Sequence, residues 1–233
     1  MSQRQKNLAL NTVRMRSEPM PVEELSLDIS AVELSSEASG LIDEVDRLID
    51  DFDDSGRYRE NRSYVPSDGA LLYAALAVVT EQDLPIGRVF CELGSGFGLG
   101  VCLAATLGYQ AYGLEIDGKL VEASRELARR WGLAATMVHG SYFPEGYSQY
   151  EGVAGAELVR PEATWHNSGA FHFSPRFEGM DHDTEEIDVF FVYPWPKEHE
   201  LMQDLFEDIS SEGALLIAYY GEGEICVYRK TLD

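Results

Sequence analysis

One stretch of the chain combines residue types that can hold a cofactor: Val89-Phe90-Cys91-Glu92-Leu93-Gly94-Ser95-Gly96-Phe97-Gly98. It reads as a buried strand that ends in a glycine-rich turn, with a helix starting immediately after it. Glycines let the backbone approach a ligand closely, and a helix N-terminus offers unpaired N–H groups to a carboxylate or phosphate. Seventeen residues past Gly98 a second apolar segment ends at Glu115. An acid in that place accepts hydrogen bonds from both hydroxyls of a ribose. The two features together imply a nucleoside cofactor.

Spacing narrows the choice. A dinucleotide fingerprint needs G-x-G-x-x-G, but counting from Gly94 and Gly96 puts Leu99 where the third glycine belongs. Glu92, two residues before the first glycine, would face a pyrophosphate badly. It suits a cofactor that brings a cationic amino group, and S-adenosylmethionine brings an ammonium, a carboxylate, a sulfonium and a ribose. The histidines carry less. His139, at a strand end, reads as a satisfied core residue, and His199 as part of a helix's first turn. Asp181-His182-Asp183, with His172 nearby, lacks ligand spacing on a defined element and reads as a solvated polar loop, so no metal site is expected.

Positioning these residues falls to alternating strands and helices. Short apolar segments predict strands over Arg88–Leu93, Ala111–Ile116, Ala135–His139, Ile187–Tyr193, Ala214–Tyr220 and Glu224–Lys230. Helices are expected over an apolar run from Ala70 to Val79 with Ser67 as N-cap, from Leu99 to Leu107, around Leu120–Trp131 with Gly132 as stop, and from about Glu198 to Ile209. Such alternation predicts an α/β fold, a doubly wound and mostly parallel sheet with helices on both faces. A tight Gly221-Glu222-Gly223 turn predicts a short antiparallel strand at the C-terminal edge. Residues 1–60 read as a polar, acidic extension ahead of a domain over 61–233. Up to about residue 38 the extension is expected to be a mobile arm or loosely docked. A short amphipathic helix over Leu41–Ile49 follows, ended by Asp50-Asp51-Phe52-Asp53-Asp54. Residues 143–186 form an insertion without helical period, expected to face the substrate and to hold a hairpin around 170–177.

Composition bounds the partners. The 233 residues carry 41 Asp and Glu against 18 Lys and Arg, a formal charge of -23, which repels nucleic acid and anionic lipid. The first 16 residues hold four bases and no acid, whereas residues 17–60 hold fourteen acids and three bases. The apolar runs fall short of a membrane span, the N-terminus shows no secretory pattern, and three cysteines do not make a disulfide framework. A cytoplasmic setting is the expectation.

The chain from about Ser67 to Tyr220 resembles class I, seven-strand Rossmann-like S-adenosylmethionine-dependent methyltransferases. Glu92-Leu93-Gly94-Ser95-Gly96-Phe97-Gly98 is similar to that family's first motif, and Gly113-Leu114-Glu115-Ile116-Asp117 to its second. The resemblance implies that Glu92, Gly94, Ser95, Gly96 and Gly98 meet the methionine part of the cofactor. It places the ribose at Glu115 and Ile116 and the adenine at Ser141 and Tyr142, beside His139-Gly140. The fourth motif position, facing the transferred methyl, falls on Tyr193-Pro194-Trp195-Pro196, with Tyr193 lining the reaction centre. Glu92–Arg129 also resembles the cofactor half of seven-strand lysine methyltransferases, although those carry a paired Asn where this chain has Tyr-Pro-Trp-Pro. The family's usual helix between its last two strands is absent here.

The implied activity is methyl transfer to an unidentified acceptor, with a nitrogen of a protein or small molecule favoured over nucleic acid. Alternatives stay open. One is an aminopropyltransferase-like enzyme, although no Asp-rich motif follows the fourth strand. Another is a non-catalytic cofactor-binding or interaction protein whose acidic region 17–60 docks a protein partner. A nicotinamide-dependent oxidoreductase is disfavoured by Leu99.

Overall fold

The computed structural model describes residues 22–54, 64–144 and 175–231. Its elements follow in chain order: β1 (Val22–Leu25), α1 (Ser36–Asp54), α2 (Gly69–Glu81), β2 (Val89–Leu93), α3 (Leu99–Thr106), β3 (Gln110–Glu115), α4 (Gly118–Trp131), β4 (Ala135–His139), β5 (Val189–Val192), α5 (His199–Ile209), β6 (Leu215–Gly221) and β7 (Glu224–Lys230). All seven strands form one sheet in the order β1-β7-β6-β5-β2-β3-β4. β6, β5, β2, β3 and β4 run parallel, β7 runs against β6, and β1 runs against β7. This is the doubly wound α/β arrangement that the alternating pattern predicts.

The central strands are buried on both faces, which is why they read as unbroken apolar runs. Val189-Phe190-Phe191-Val192 of β5 is buried at every position, as a strand flanked by helices on both sides must be. One face packs against α1 to α4 through residues such as Leu72, Leu103, Leu127 and Phe191. The other packs against α5 and the segment before β5, through Phe177, Phe190, Leu205 and Phe206. α2 is apolar nearly all round and is correspondingly buried from Leu72 to Val79. Its N-cap is Asp68 and not the expected Ser67: Asp68 Oδ1 accepts the N–H groups of both Ala70 and Leu71 at 3.0 Å. α4 is capped by Asp117 and ends at Gly132 in the left-handed conformation (φ 64°), as expected.

The expectation of a loosely docked arm up to about residue 38 is corrected for residues 22–38, and the helix expected over 41–49 is longer than its pattern suggested. β1 pairs along β7 with Val22 opposite Lys230 and Leu25 opposite Val227. α1 buries Ala38, Leu41 and Val45 in the core, and Glu44 of α1 accepts a 2.7 Å hydrogen bond from the Trp131 indole of α4. The acidic run does not end this helix either. Phe52 lies at helical spacing from the buried stripe and packs edge-on to Phe97, ring centroids 5.5 Å apart, so the helix continues to Asp54 while Asp43, Asp50 and Asp51 stay exposed. The C-terminal antiparallel strand is present as β7, but it is not the edge, because β1 covers it. Gly221 pairs with Glu224 across a two-residue Glu222-Gly223 turn in which both residues have positive φ (50° and 85°), the geometry a tight hairpin prefers.

The hairpin expected around 170–177 falls mainly outside the described residues. From 175 onward, Arg176 bridges Asp183 in antiparallel fashion, and a turn of 3-10 helix over Thr184–Glu186 leads into β5. Arg176 and Asp183 also form an ion pair at 2.7 Å, and His182 Nδ1 lies 3.5 Å from Glu186. No helix among the described residues is long and apolar enough to cross a membrane.

Candidate active site

β2 hands the chain to a loop whose backbone is held almost wholly by its own neighbours. The N–H groups of Gly94 and Ser95 both donate to Leu114 O, at 2.9 and 2.8 Å, which ties the loop to the end of β3. Gly98 N–H returns to Ser95 O at 2.7 Å, and Gly98 then serves as N-cap of α3 with φ 77°. That left-handed backbone disfavours any residue with a Cβ. At Gly98 a Cβ would also sit 2.7 Å from Met137 Cε and 2.9 Å from Ser124 Cβ. Gly96 also has left-handed backbone (φ 52°), and the Tyr64 ring lies over the place where a Cβ would stand. Tyr64 in turn packs edge-on to Phe97, centroids 5.1 Å apart.

Two carboxylates brace this loop. Glu115 Oε2 accepts Gly96 N–H and its Oε1 accepts Asp117 N–H, each at 2.8 Å. Burial pushes the Glu115 carboxyl up from its ordinary value, while these N–H bonds oppose the rise. Glu92 is 6% exposed and lies beneath α3, where Oε2 accepts Val101 N–H at 3.0 Å. Burial pushes Glu92 up to about 8, opposed by that N–H and reinforced by the charge on Glu115.

β4 and β5 supply the remaining walls. Gly140 N–H donates to Glu115 O at 3.0 Å, which sets Ser141 and Tyr142 beside the β3 end. Ser141 Oγ accepts Phe143 N–H at 2.9 Å. Burial pushes the Tyr142 phenol up, and the charges of Glu198 and Glu115 push it further. Past β5, Tyr193 packs edge-on to Tyr219 with centroids 4.8 Å apart, Pro194 is buried, and Trp195 is 40% exposed. Glu198 N–H donates to Trp195 O at 2.8 Å, closing the Pro196-Lys197 turn, and Glu198 then starts α5. His199 packs against Tyr220 with ring centroids 4.5 Å apart and the rings tilted by 46°.

The result is a cleft of about 710 Å³ over the carboxyl ends of the strands, centred where the strand order reverses between β2 and β5. Open α/β sheets bind ligands at such a reversal. Of the residues singled out from the sequence, Gly94, Glu115, Ile116, Ser141, Tyr142 and Tyr193 all line this cleft. Glu92 and Ser95 do not. They line a void of about 30 Å³ behind the loop that shares Gly94, Tyr64 and Tyr193 with the cleft. Gly96 and Gly98 line neither space and act through the loop's shape. His139 is satisfied, by Ile116 O at 2.9 Å, but is exposed and not in the core.

Sequence reasoning missed Tyr64, Glu198 and Tyr220 in the cleft wall. Only Glu198 left a signal: glutamate is a poor N-cap, so one at a helix start after Tyr-Pro-Trp-Pro needed another reason to be there.

A nucleoside cofactor fits this arrangement. Gly94 is exposed with nothing within 4 Å of its would-be Cβ, so the loop's outer face is open to a ligand. Glu115 accepts the N–H groups of Gly96, Asp117 and Ile116, and a carboxylate's two oxygens have acceptor capacity beyond those three bonds. Ser95 Oγ is buried without a partner.

No protein-family profile matches the chain, and no curated protein does. Among solved structures, an RNA methyltransferase from Salinibacter ruber in complex with S-adenosyl-L-homocysteine is similar over 72% of this chain and 95% of its own, at 19% identity and a TM-score of 0.48. An O-methyltransferase from Bacillus cereus in complex with the same compound is similar over 81% of this chain and 68% of its own, at 14% identity and a TM-score of 0.43. A 16S rRNA N2 G1207 methyltransferase from Thermus thermophilus, in complex with S-adenosylmethionine and guanosine, covers 74% of this chain and 45% of its own, at 13% identity and a TM-score of 0.41. Likenesses this distant assign no acceptor to the chain.

Proposed function

We propose that the chain is an S-adenosylmethionine-dependent methyltransferase acting on a nitrogen of a protein or small molecule. The observation that carries this reading is the convergence of Gly94, Glu115, Ser141 and Tyr193 on one cleft. They come from the carboxyl ends of four strands, on both sides of the reversal in strand order. Bound there, the cofactor would supply an electrophilic methyl group on a sulfonium.

The chain's own residues then have separable tasks. The Gly94–Gly98 loop gives close approach, and Glu115 offers its remaining lone pairs to the ribose hydroxyls. Ser141 and Tyr142 form the rim for the base. Glu92 and the Val101 N–H order the first turn of α3 from below, so that the loop is set before a ligand arrives. Tyr193, braced by Tyr219, walls the place where acceptor, methyl and sulfur must align. Alignment is the chief requirement of an in-line displacement.

Calorimetric titration with S-adenosylmethionine and S-adenosylhomocysteine, with NAD as control, tests the reading. Micromolar binding of the first two and none of NAD supports it. Binding of NAD alone, or of none of the three, overturns it. Turnover of decarboxylated cofactor with putrescine would replace methyl transfer by aminopropyl transfer.

A further inference from the structure

The charged side chains lining the cleft are all acids: Glu115, Asp117 and Glu198, with no lysine or arginine among the described lining residues. Two of the three are already committed. Glu115 accepts from Gly96 and Asp117, and Asp117 Oδ1 caps α4 through Lys119 N–H at 2.7 Å. Glu198 is different. It stands at the N-cap of α5 yet makes no side-chain cap bond, and it is 2% exposed. A buried carboxylate is costly unless a charge or several donors meet it. The position supplies little: burial raises the Glu198 carboxyl, and only a hydrogen bond from the Trp195 backbone works against that rise. Tyr142, Tyr193 and Trp195 line the same cleft as Glu198, the Trp195 backbone bonds to its carboxyl, and Tyr142 lies close enough to feel its charge.

We infer that the β5–α5 end of the cleft binds a protonated alkyl amine, with the Glu198 carboxylate as its counter-charge and the Tyr142, Tyr193 and Trp195 rings as its walls. An ammonium brings a full charge and three donors to the carboxylate, and aromatic faces attract the same cation. An anionic acceptor would meet three carboxylates, with the His199 imidazole as the one basic side chain among the described lining residues. An alcohol would leave the Glu198 charge uncompensated. Assigning this end to the acceptor rests on the methyltransferase reading, whereas the amine site itself does not. In that reading the ammonium first gives a proton to the Glu198 carboxylate, and the neutral nitrogen then bonds the methyl carbon as the carbon–sulfur bond breaks.

The test uses the full chain with saturating S-adenosylhomocysteine, and again without it. n-Hexylamine is titrated against 1-hexanol, and Nα-acetyl-lysine methylamide against Nα-acetyl-norleucine methylamide, which separates a free amine from a lysyl side chain. The amines are expected to bind at least about tenfold more tightly than their neutral partners, because a charge-assisted hydrogen bond is lost with the charge. Glu198→Gln keeps the shape and should reduce amine affinity to that of the neutral partner, with S-adenosylhomocysteine affinity unchanged. Equal binding of amine and neutral partner overturns the inference, as does full amine affinity in a folded Glu198→Gln variant. If that variant does not fold, the amine-against-neutral comparison on the unaltered chain decides alone. Failure of S-adenosylhomocysteine to bind overturns the methyltransferase reading, while the titrations without it still decide the amine site.

Discussion

On the β2–α3 side of the cleft the backbone is fixed in advance by internal hydrogen bonds. Leu114 O holds two loop N–H groups, Glu115 holds two more, and Glu92 holds the first turn of α3. On the β5–α5 side the wall is made of side chains. A buried glutamate starts its helix without capping it, and Trp195 stands 40% exposed. The difference teaches where each kind of recognition belongs. A surface built from satisfied backbone groups suits one invariant ligand, such as a cofactor. A surface of aromatic rings and an underused charge can be retuned by substitution and suits the variable partner.

If that division holds, changes on the first side should act on the fold and on cofactor binding. Gly98→Ala carries the largest expected effect, because a Cβ there combines left-handed backbone with contacts at 2.7 and 2.9 Å. Loss of about 2–5 kcal/mol is expected from those two costs together, read by urea unfolding. A stable variant would mean that the loop geometry is less exacting than its hydrogen bonds imply.

Glu92→Gln probes the same side through pH. Burial pushes the Glu92 carboxyl up to about 8 in the folded protein, above its ordinary value of 4.5, so the folded protein holds this proton more tightly than the unfolded chain. Stability attributable to Glu92 is therefore greatest below pH 4.5, falls as pH rises towards 8, and is level above that. The Gln variant lacks this slope. The difference in unfolding free energy between variant and parent should move in the variant's favour by about 2–4 kcal/mol across that window. The pH-dependence of the difference is the readout, because the amide's own unmet donors shift its absolute value. A difference that stays flat with pH would show that burial does not raise the Glu92 carboxyl in the folded protein.

Glu115→Ala should weaken S-adenosylhomocysteine binding by about 1–3 kcal/mol, measured by calorimetry. Unchanged affinity in a folded variant would move the ribose elsewhere. The smallest effect belongs to the other side. Trp195→Ala should change unfolding free energy by no more than about 0.5 kcal/mol, as for most exposed positions, and leave cofactor affinity alone. A large loss of cofactor affinity there would erase the division between the two walls.

Legibility in the sequence followed the same line. The glycine loop and the ends of β2 to β5 could be read because backbone geometry demands particular residues: glycine at positive φ, an acid opposite free N–H groups, unbroken apolar runs in a doubly covered sheet. Tyr64 left no such mark, since nothing local distinguishes a tyrosine that lies over Gly96 from one on the surface. β1 was illegible for another reason. Val22-Glu23-Glu24-Leu25 does not alternate, and only its outer residues are partly covered, so its pairing depends on β7 and not on its own pattern. The α1 boundary was misread because the acidic run was weighed as a break, while Phe52 inside it kept the buried stripe going.

That outermost pairing has a consequence for how the molecule comes to be. Val22 stands opposite Lys230, so the first and the last strand among the described residues are neighbours in the sheet. Closing a loop of that length costs entropy that grows only slowly with length, but it cannot occur until everything from β1 to β7 has been synthesised. The parallel strands can assemble during synthesis while β1 waits, and the β6–β7 hairpin completes next. The sheet is therefore sealed from its far end by a final, non-local step. Such long-range pairing slows folding and leaves an open strand edge until it is made.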